Sequence, residues 1–324
     1  MENTADSRYG DPTAIHTPVM VERVVELVSP ALEISDAIYV DCTLGMGGHA
    51  AAVLRANPRA RLIGFDRDSD AIALAQQRLS EFGDRVTTVH AVYDQFDEKL
   101  DELGVAEVDA VFFDLGVSSL QLDETERGFS YMRDAPLDMR MDQSVGITAA
   151  QLLTQSSEAE LRDLFRRYGD EPLAGRYARA IVTAPNPPAT TLELVEILQQ
   201  ATPAAKRNAG HPAKRVFQAL RIAVNRELEA LESAIPQALG RVRVGGRVVV
   251  EAYQSLEDRF VKHTFHEATT ANVPAGLPFI PPELEPEFVS LTRGAEQADH
   301  NEVDDNPRAK PVRLRAVERI RSNR

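Results

Sequence analysis

The stretch "DCTLGMGGHA" (residues 41–50) places three glycines in four positions and carries the only cysteine of the 324-residue chain. The apolar run "AIYV" (37–40) precedes it and the helix-like "AAVLRA" (51–56) follows. Strand, glycine turn and helix in that order bring backbone close to a ligand, and the helix start offers free N–H groups and a positive dipole end. Gly45, Gly47 and Gly48 fit that role, with a bare tight turn as the bland alternative. The loop lacks Gly-Lys-Ser/Thr, which excludes a Walker-type nucleoside triphosphate site. It also departs from Gly-x-Gly-x-x-Gly, because Gly48 directly follows Gly47.

Outward from the loop, "ARLIGFDRD" (60–68), "RVTTVH" (85–90) and "VDAVFFDLG" (108–116) read as further strands. Between the first two, "SDAIALAQQRLSEFG" (69–83) reads as a helix capped by Ser69 or Asp70 and ended by Gly83. Strands alternating with helices at this spacing predict an α/β fold with a parallel, Rossmann-like sheet. Asp66 ends the second strand 19 residues past Gly47, where an acid can accept both hydroxyls of a ribose. Asp114 ends the fourth at the same carboxyl edge. A dinucleotide needs the wider glycine spacing to seat its pyrophosphate. S-adenosylmethionine has no phosphate, and Asp41 at the end of the first strand suits it. NAD-type cofactors are the runner-up.

The rhythm then breaks. From Asp123 to Pro212 helical stretches dominate, among them "SSEAELRDLFRRYG" (156–169) with Ser157 and Glu160 as a capping box and Gly169 past its end. A long helix follows, with Phe217, Leu220, Val224, Leu228, Leu231 and Ile235 in one apolar stripe. "GGRVVVEAY" (245–253) resumes the strand pattern. The expected organisation is a discontinuous sheet domain, 1–122 and 213–324, interrupted by a helical insertion, 123–212. "PAGLPFIPPELEPEF" (274–288) and "EQADHNEVDDNP" (296–307) read as surface loops.

At "FFDLGVSSLQLDETERGFSYMRDAPLDMRMD" (112–142) the pattern stops being generic. This run resembles the RsmH/MraW family of bacterial methyltransferases. So do "HTPVMVERVVELV" (16–28), "YVDCTLGMGGHA" (39–50), "HPAKRVFQALRIAVNRELEAL" (211–231), "SLEDRFVK" (255–262) and "NPRAK" (306–310). The resemblance implies a class I S-adenosylmethionine-dependent methyltransferase sheet carrying a helical insertion that recognises substrate. It implies transfer of a methyl group from S-adenosyl-L-methionine to N4 of a cytidine in 16S rRNA, at the decoding centre of the small ribosomal subunit. Carried over residue by residue, the cofactor positions are Gly47, Gly48, His49, Asp66, Tyr93, Asp114 and Gln121. Tyr93 stands where relatives usually have phenylalanine. "EAYQSLEDR" (251–259) stands where relatives show "SFHSLEDR", so no histidine base is available at Gln254.

Some of these positions also admit a structural reading. His49 could merely pack at a helix start. "PLDMRMD" (136–142) is either a salt-bridged loop or, through Asp138 and Arg140, part of the nucleotide pocket. Glu257 and Asp258 of "SLEDR" either cap a helix or line the site.

Methylating carbon 5 of a pyrimidine requires a cysteine that adds to the ring. Cys42, one residue past a buried strand, reads as structural, which points to direct transfer onto a heteroatom. The expected acceptor of the amine's hydrogen bonds is Asp114, with a backbone carbonyl of Leu115 or Gly116. A non-catalytic assembly factor is the alternative from another class, and the intact cofactor loop speaks against it.

Net charge is −14, which argues against indiscriminate binding of nucleic acid. Yet residues 206–226 hold six Lys/Arg and no acid, and the last 17 hold seven Lys/Arg against Glu318 alone. Both are expected to hold rRNA phosphates, with Arg140, Lys206, Arg207, Lys214 and Arg215 as RNA-binding candidates. The absence of tryptophan and 6% aromatics make a broad base-stacking platform improbable. No run of eighteen apolar residues spans a membrane, and one cysteine makes neither an internal disulfide nor a cysteine metal site. A cytoplasmic enzyme without a metal is expected. A homodimer is left open, as is DNA as a substrate.

Overall fold

The computed structural model describes residues 18–206, 210–271 and 284–322. Its first part runs α1 (Val21–Val28), β1 (Ile38–Asp41), α2 (Gly48–Ala56), β2 (Arg61–Asp66), α3 (Ser69–Arg78), β3 (Val86–His90), α4 (Phe96–Glu102) and β4 (Val108–Asp114). Helices α5 (Ser119–Asp123), α6 (Ala149–Gln155), α7 (Glu158–Gly169), α8 (Ala174–Val182), α9 (Thr191–Ala201) and α10 (Ala213–Asn225) follow. The chain closes with α11 (Glu227–Arg241), β5 (Val242–Ala252), α12 (Ser255–Thr269), β6 (Phe288–Ser290), α13 (His300–Asp305) and β7 (Arg313–Arg319). Two compact units result, one of residues 1–116 with 230–324 and one of 117–229.

The first unit is a seven-stranded sheet in the order β3-β2-β1-β4-β5-β7-β6. Strands β1 to β5 run parallel, and β7 pairs antiparallel with β5 and β6. "VDAVFFD" is apolar almost throughout because β4 is covered on both faces. Its side chains alternate between two cores. Ala110 and Phe112 join Tyr39, Leu62 and Val249 under α1 and α2, while Val111 and Phe113 join Val40, Ile63 and Val250 under α4, α11 and α12. Each buried phenylalanine contributes roughly 1.5–3 kcal/mol from removal of its surface from water.

Helix α3 is capped by Asp68, not by Ser69 or Asp70. Asp68 keeps an extended backbone, and its Oδ1 accepts the N–H groups of Asp70 and Ala71. The acidic stretch 296–307 is not all loop, since Asp299 caps α13 and Glu302 accepts the Met20 N–H ahead of α1. Residues 274–283 lie outside the described residues, and Phe288 opens β6. The basic tail is an integral strand. In β7, Arg315 pairs with Asp258 and Arg319 with Glu287, all four side chains largely buried. Arg315 and Arg319 hold the sheet edge together, whereas Arg308 and Lys310 of the same tail are exposed.

The second unit is helical, around Leu161, Phe165, Tyr177, Leu198, Phe217 and Leu220. Helix α10 belongs to this unit, so its boundaries fall near 117 and 229 rather than 123 and 212. Gly169 is the last residue of α7, and a Cβ there would come within 2.6 Å of the Arg215 carbonyl oxygen on α10. Asp170 takes the left-handed terminating position, at φ 46°. The long apolar stripe is two helices. Arg226 breaks it at φ 52°, beside Asn225, whose amide donates to the Met139 carbonyl and accepts from Met141 N–H, both at 2.8 Å. Periodicity alone does not see a buried amide tied to a distant loop. Among the described residues no helix is long and apolar enough to cross a membrane.

Candidate active site

The glycine loop is sewn to the strands on both sides. On the β2 side, Leu44 N–H donates to the Phe65 carbonyl at 2.8 Å and Gly45 N–H to Asp66 Oδ2 at 2.7 Å. On the β4 side, Cys42 N–H donates to the Phe112 carbonyl at 2.9 Å and Asp114 N–H to the Thr43 hydroxyl oxygen at 2.6 Å. Gly47 precedes α2 at φ 74°, a region that favours glycine. A Cβ on Gly48 would lie 2.6 Å from Cγ of Pro18, so the helix start can approach only as glycine. Cys42 is buried, and burial pushes its thiol well above the usual range. It is no nucleophile in this state.

Acids gather at this carboxyl edge. Asp41 accepts the Thr43 N–H, and burial raises it to about 7. Asp66 accepts from Gly45 and Asp68 N–H, and burial raises it to about 6 against those bonds. Asp114 is raised by burial too, with His49 opposing, yet its side chain stays 30% exposed. His49 is buried, its Nδ1 3.6 Å from Asp114 Oδ2 and its Nε2 2.8 Å from the Val19 carbonyl oxygen. Tyr93 is partly buried and meets Phe113 edge to face at 5.7 Å.

Glu251, the register partner of Asp114 on β5, was missed by sequence reasoning. It is fully buried, held well above the carboxylate range by burial and then by the charge of Asp114. Its Oε2 lies 3.4 Å from the Tyr253 hydroxyl, and Oε1 has no hydrogen-bond partner among the described residues. The available signal was a lone acid in the run "VVVEA" (248–252) of a central strand. One atom each from His49, Asp114 and Glu251 lie within 4.8 Å of one another, a donor set compatible in kind with a divalent cation.

Other sequence candidates lie elsewhere. Glu257 accepts the Tyr253 and Gln254 N–H groups ahead of α12, and Asp258 pairs with Arg315, so "SLEDR" caps and anchors. Neither end of the Gln254 amide has a partner among the described residues. In the helical unit, Gln121 is buried and accepts the Ser118 N–H at the start of α5. Arg140 forks onto Asp138 with two 2.8 Å bonds, the salt-bridged reading of that loop. Lys206, Lys214 and Arg215 are exposed, and Arg215 also donates to the Asp170 carbonyl. Arg207 lies outside the described residues.

The MraW methylase family matches this chain over residues 13–320. The chain belongs to that family. It is 60% identical over 309 residues to ribosomal RNA small subunit methyltransferase H of Clavibacter michiganensis, covering 95% of this chain and 97% of the relative. Its namesake from Mycolicibacterium smegmatis is 54% identical, covering 96% and 85%. A putative rRNA-methylase structure from Clostridium thermocellum superposes at TM-score 0.43 with 14% identity, over 94% of this chain and all of that one.

The methylase is a class I enzyme dependent on S-adenosyl-L-methionine. Its site suits that donor. The carboxylates of Asp66 and the part-exposed Asp114 beside the glycine cradle favour a cationic sulfonium over the pyrophosphate of a dinucleotide.

Proposed function

We propose that this methylase transfers the methyl group to N4 of a cytidine in 16S rRNA, at the decoding centre of the small ribosomal subunit, by direct in-line displacement. The relatives named as ribosomal RNA small subunit methyltransferases support the substrate class. The observation that carries the chemistry is the pairing of a part-exposed Asp114 carboxylate at the cofactor loop with a fully buried Cys42. No thiol is presented to a pyrimidine ring, so covalent addition at carbon 6 has no nucleophile.

An exocyclic amine is a weak nucleophile because its lone pair is delocalised into the ring. Bound S-adenosyl-L-methionine supplies an already activated methyl group, which leaves the protein the task of alignment. Asp114 accepts a hydrogen bond from the amine, orienting the nitrogen and taking up charge as it develops. The glycine loop and Asp66 seat the cofactor, with Asp66 toward the ribose and Tyr93 and Gln121 as further contacts. The helical unit recognises rRNA, its exposed Lys206, Lys214 and Arg215 holding phosphates. The cytidine must leave its stack, at a cost that an unpaired site lowers. The enzyme works in the cytoplasm.

Nucleoside mass spectrometry of 16S rRNA from cells lacking the gene, with and without complementation, tests the assignment. The N4-methyl mark should vanish and return; a mark that persists in the deletion refutes it.

A further inference from the structure

Helix α4 begins without a side-chain cap of its own. Gln95 stands at the N-cap position, and its side chain bonds none of the free N–H groups of the first turn. One of these, at Asp97, is met from α11, 140 residues later in the chain, where Gln237 Oε1 accepts it at 2.8 Å. The other end of that amide donates from Nε2 to the Asp94 carbonyl at 2.9 Å and to the Ser233 hydroxyl oxygen, also at 2.9 Å. A backbone N–H only donates and a carbonyl only accepts, so the Gln237 amide has one orientation. Arg241, one turn on, holds Asp97 again, its Nε donating to Oδ1 at 2.7 Å. The Asp94 carbonyl belongs to the residue after Tyr93, within the short turn Tyr93–Gln95. The start of that turn is tied to β2, Ala91 N–H donating to the Asp66 carbonyl at 3.0 Å. The turn that carries the Tyr93 ring is thus bridged from β2 on one side to α11 on the other. A ring on a backbone held still loses less freedom when a flat ligand settles against it.

We propose that Gln237 is the positioning residue of Tyr93, and that through this turn it sets how tightly the adenine of S-adenosyl-L-methionine is held. This rests on Tyr93 as a cofactor contact, as proposed above, and is independent of which base accepts the methyl group. Adenine lies on the part of the donor that does not react, so it is bound equally before and after transfer. Loss of the anchor therefore weakens donor and demethylated product alike and leaves the chemical step unchanged. The competing role is a plain tie between α11 and α4, which contributes stability and nothing to cofactor affinity.

Gln237→Met keeps the length of the side chain and removes the amide. By calorimetry it should raise Kd about tenfold for both S-adenosyl-L-methionine and S-adenosyl-L-homocysteine, with turnover at saturating cofactor within about twofold of wild type. Melts without cofactor read the fold separately. Stability lost at wild-type affinity makes Gln237 a plain tie and overturns the proposal. So does a fall in saturating turnover at unchanged affinity. A double-mutant cycle with Tyr93→Ala isolates the route. Tyr93→Ala should itself raise Kd about 10- to 100-fold. Adding Gln237→Met to it should then raise Kd by less than about twofold more. A full tenfold in both backgrounds shows that Gln237 acts elsewhere, which also overturns the proposal. If Tyr93→Ala binds cofactor as wild type does, Tyr93 leaves the site and the role of Gln237 falls with it. If Tyr93→Ala is weakened while Gln237→Met binds normally, only the role of Gln237 falls. The chain has no tryptophan, so Tyr93→Trp reports on this turn alone. Its fluorescence anisotropy without cofactor should drop when Gln237→Met is added, and an unchanged value would break the link between the two residues.

Discussion

Two charged regions of this methylase make opposite use of their charge. At the carboxyl edge of the sheet, Asp41, Asp66, Asp114 and Glu251 crowd together, and burial lifts their proton affinities. On the helical unit, Lys206, Lys214 and Arg215 stand exposed. A charge withdrawn from water is costly unless a proton or an opposite charge meets it, which makes the acids a chemical device. Charges left in water keep their counterions and can exchange them for phosphates. Burial, rather than the count of like charges, decides which of these a cluster becomes.

The sharpest way to break this contrast is at Asp114. Asp114→Ala should lower single-turnover methyl transfer by about 10²–10⁴-fold while leaving rRNA affinity within about threefold. Filter binding alongside tritium transfer reads both, and near-normal turnover would remove the acid edge from the chemistry. The converse change comes next in size. Reversing Lys206, Lys214 and Arg215 together should weaken rRNA binding about 10- to 100-fold near physiological salt and reduce the salt slope by roughly 2–3. The rate at saturating rRNA should hold, and an unaltered slope would show that these cations face no phosphate.

A third test turns on protons. Asp41, raised to about 7 in the folded chain from an ordinary value near 4, binds its proton more tightly folded than unfolded. Its contribution to stability is therefore complete below about pH 4 and lost as pH rises through about 7. Asp66, raised to about 6, acts in the same direction. Over that window acid denaturation of other groups is superimposed, so the comparison is between variants. Asp41→Asn, which can still accept from Thr43 N–H, should flatten the loss of unfolding free energy between pH 5 and pH 8 by on the order of 1–2 kcal/mol, read by denaturant melts. Parallel curves for the two proteins would mean that Asp41 titrates normally. The smallest effect belongs to the tail. Arg315→Ala, which unpairs Asp258, should cost about 1 kcal/mol of stability by denaturant melts and leave the salt slope of rRNA binding untouched. A reduced slope would return Arg315 to the RNA surface.

Periodicity and turn chemistry carried the sheet. The alternation of "AIYVD", "RLIGFD", "RVTTVH" and "VDAVFFD" with helices placed the parallel strands, and the glycine loop does lie between the strand ends that carry Asp66 and Asp114. What sequence reading lost had non-local causes. Arg226 breaks a continuous apolar stripe because Asn225 is tied to Met139 and Met141, more than eighty residues earlier. Arg315 and Arg319 looked free because the acids that neutralise them lie on α12 and just ahead of β6. Glu251 was hidden in a strand whose burial of a carboxyl no local pattern announces.

The position of β5 between β4 and β7 has a consequence for synthesis. As the chain leaves the ribosome, β1 to β4 can assemble at once, but the edge of β4 must wait while residues 117–229 are translated. At typical elongation rates that wait is on the order of ten seconds. During it, an apolar strand edge is open to stray pairing, while the helical unit, rich in near-neighbour contacts, can collapse by itself. Nascent chains stalled between Gly116 and Val242 should therefore be the ones chaperones hold most avidly.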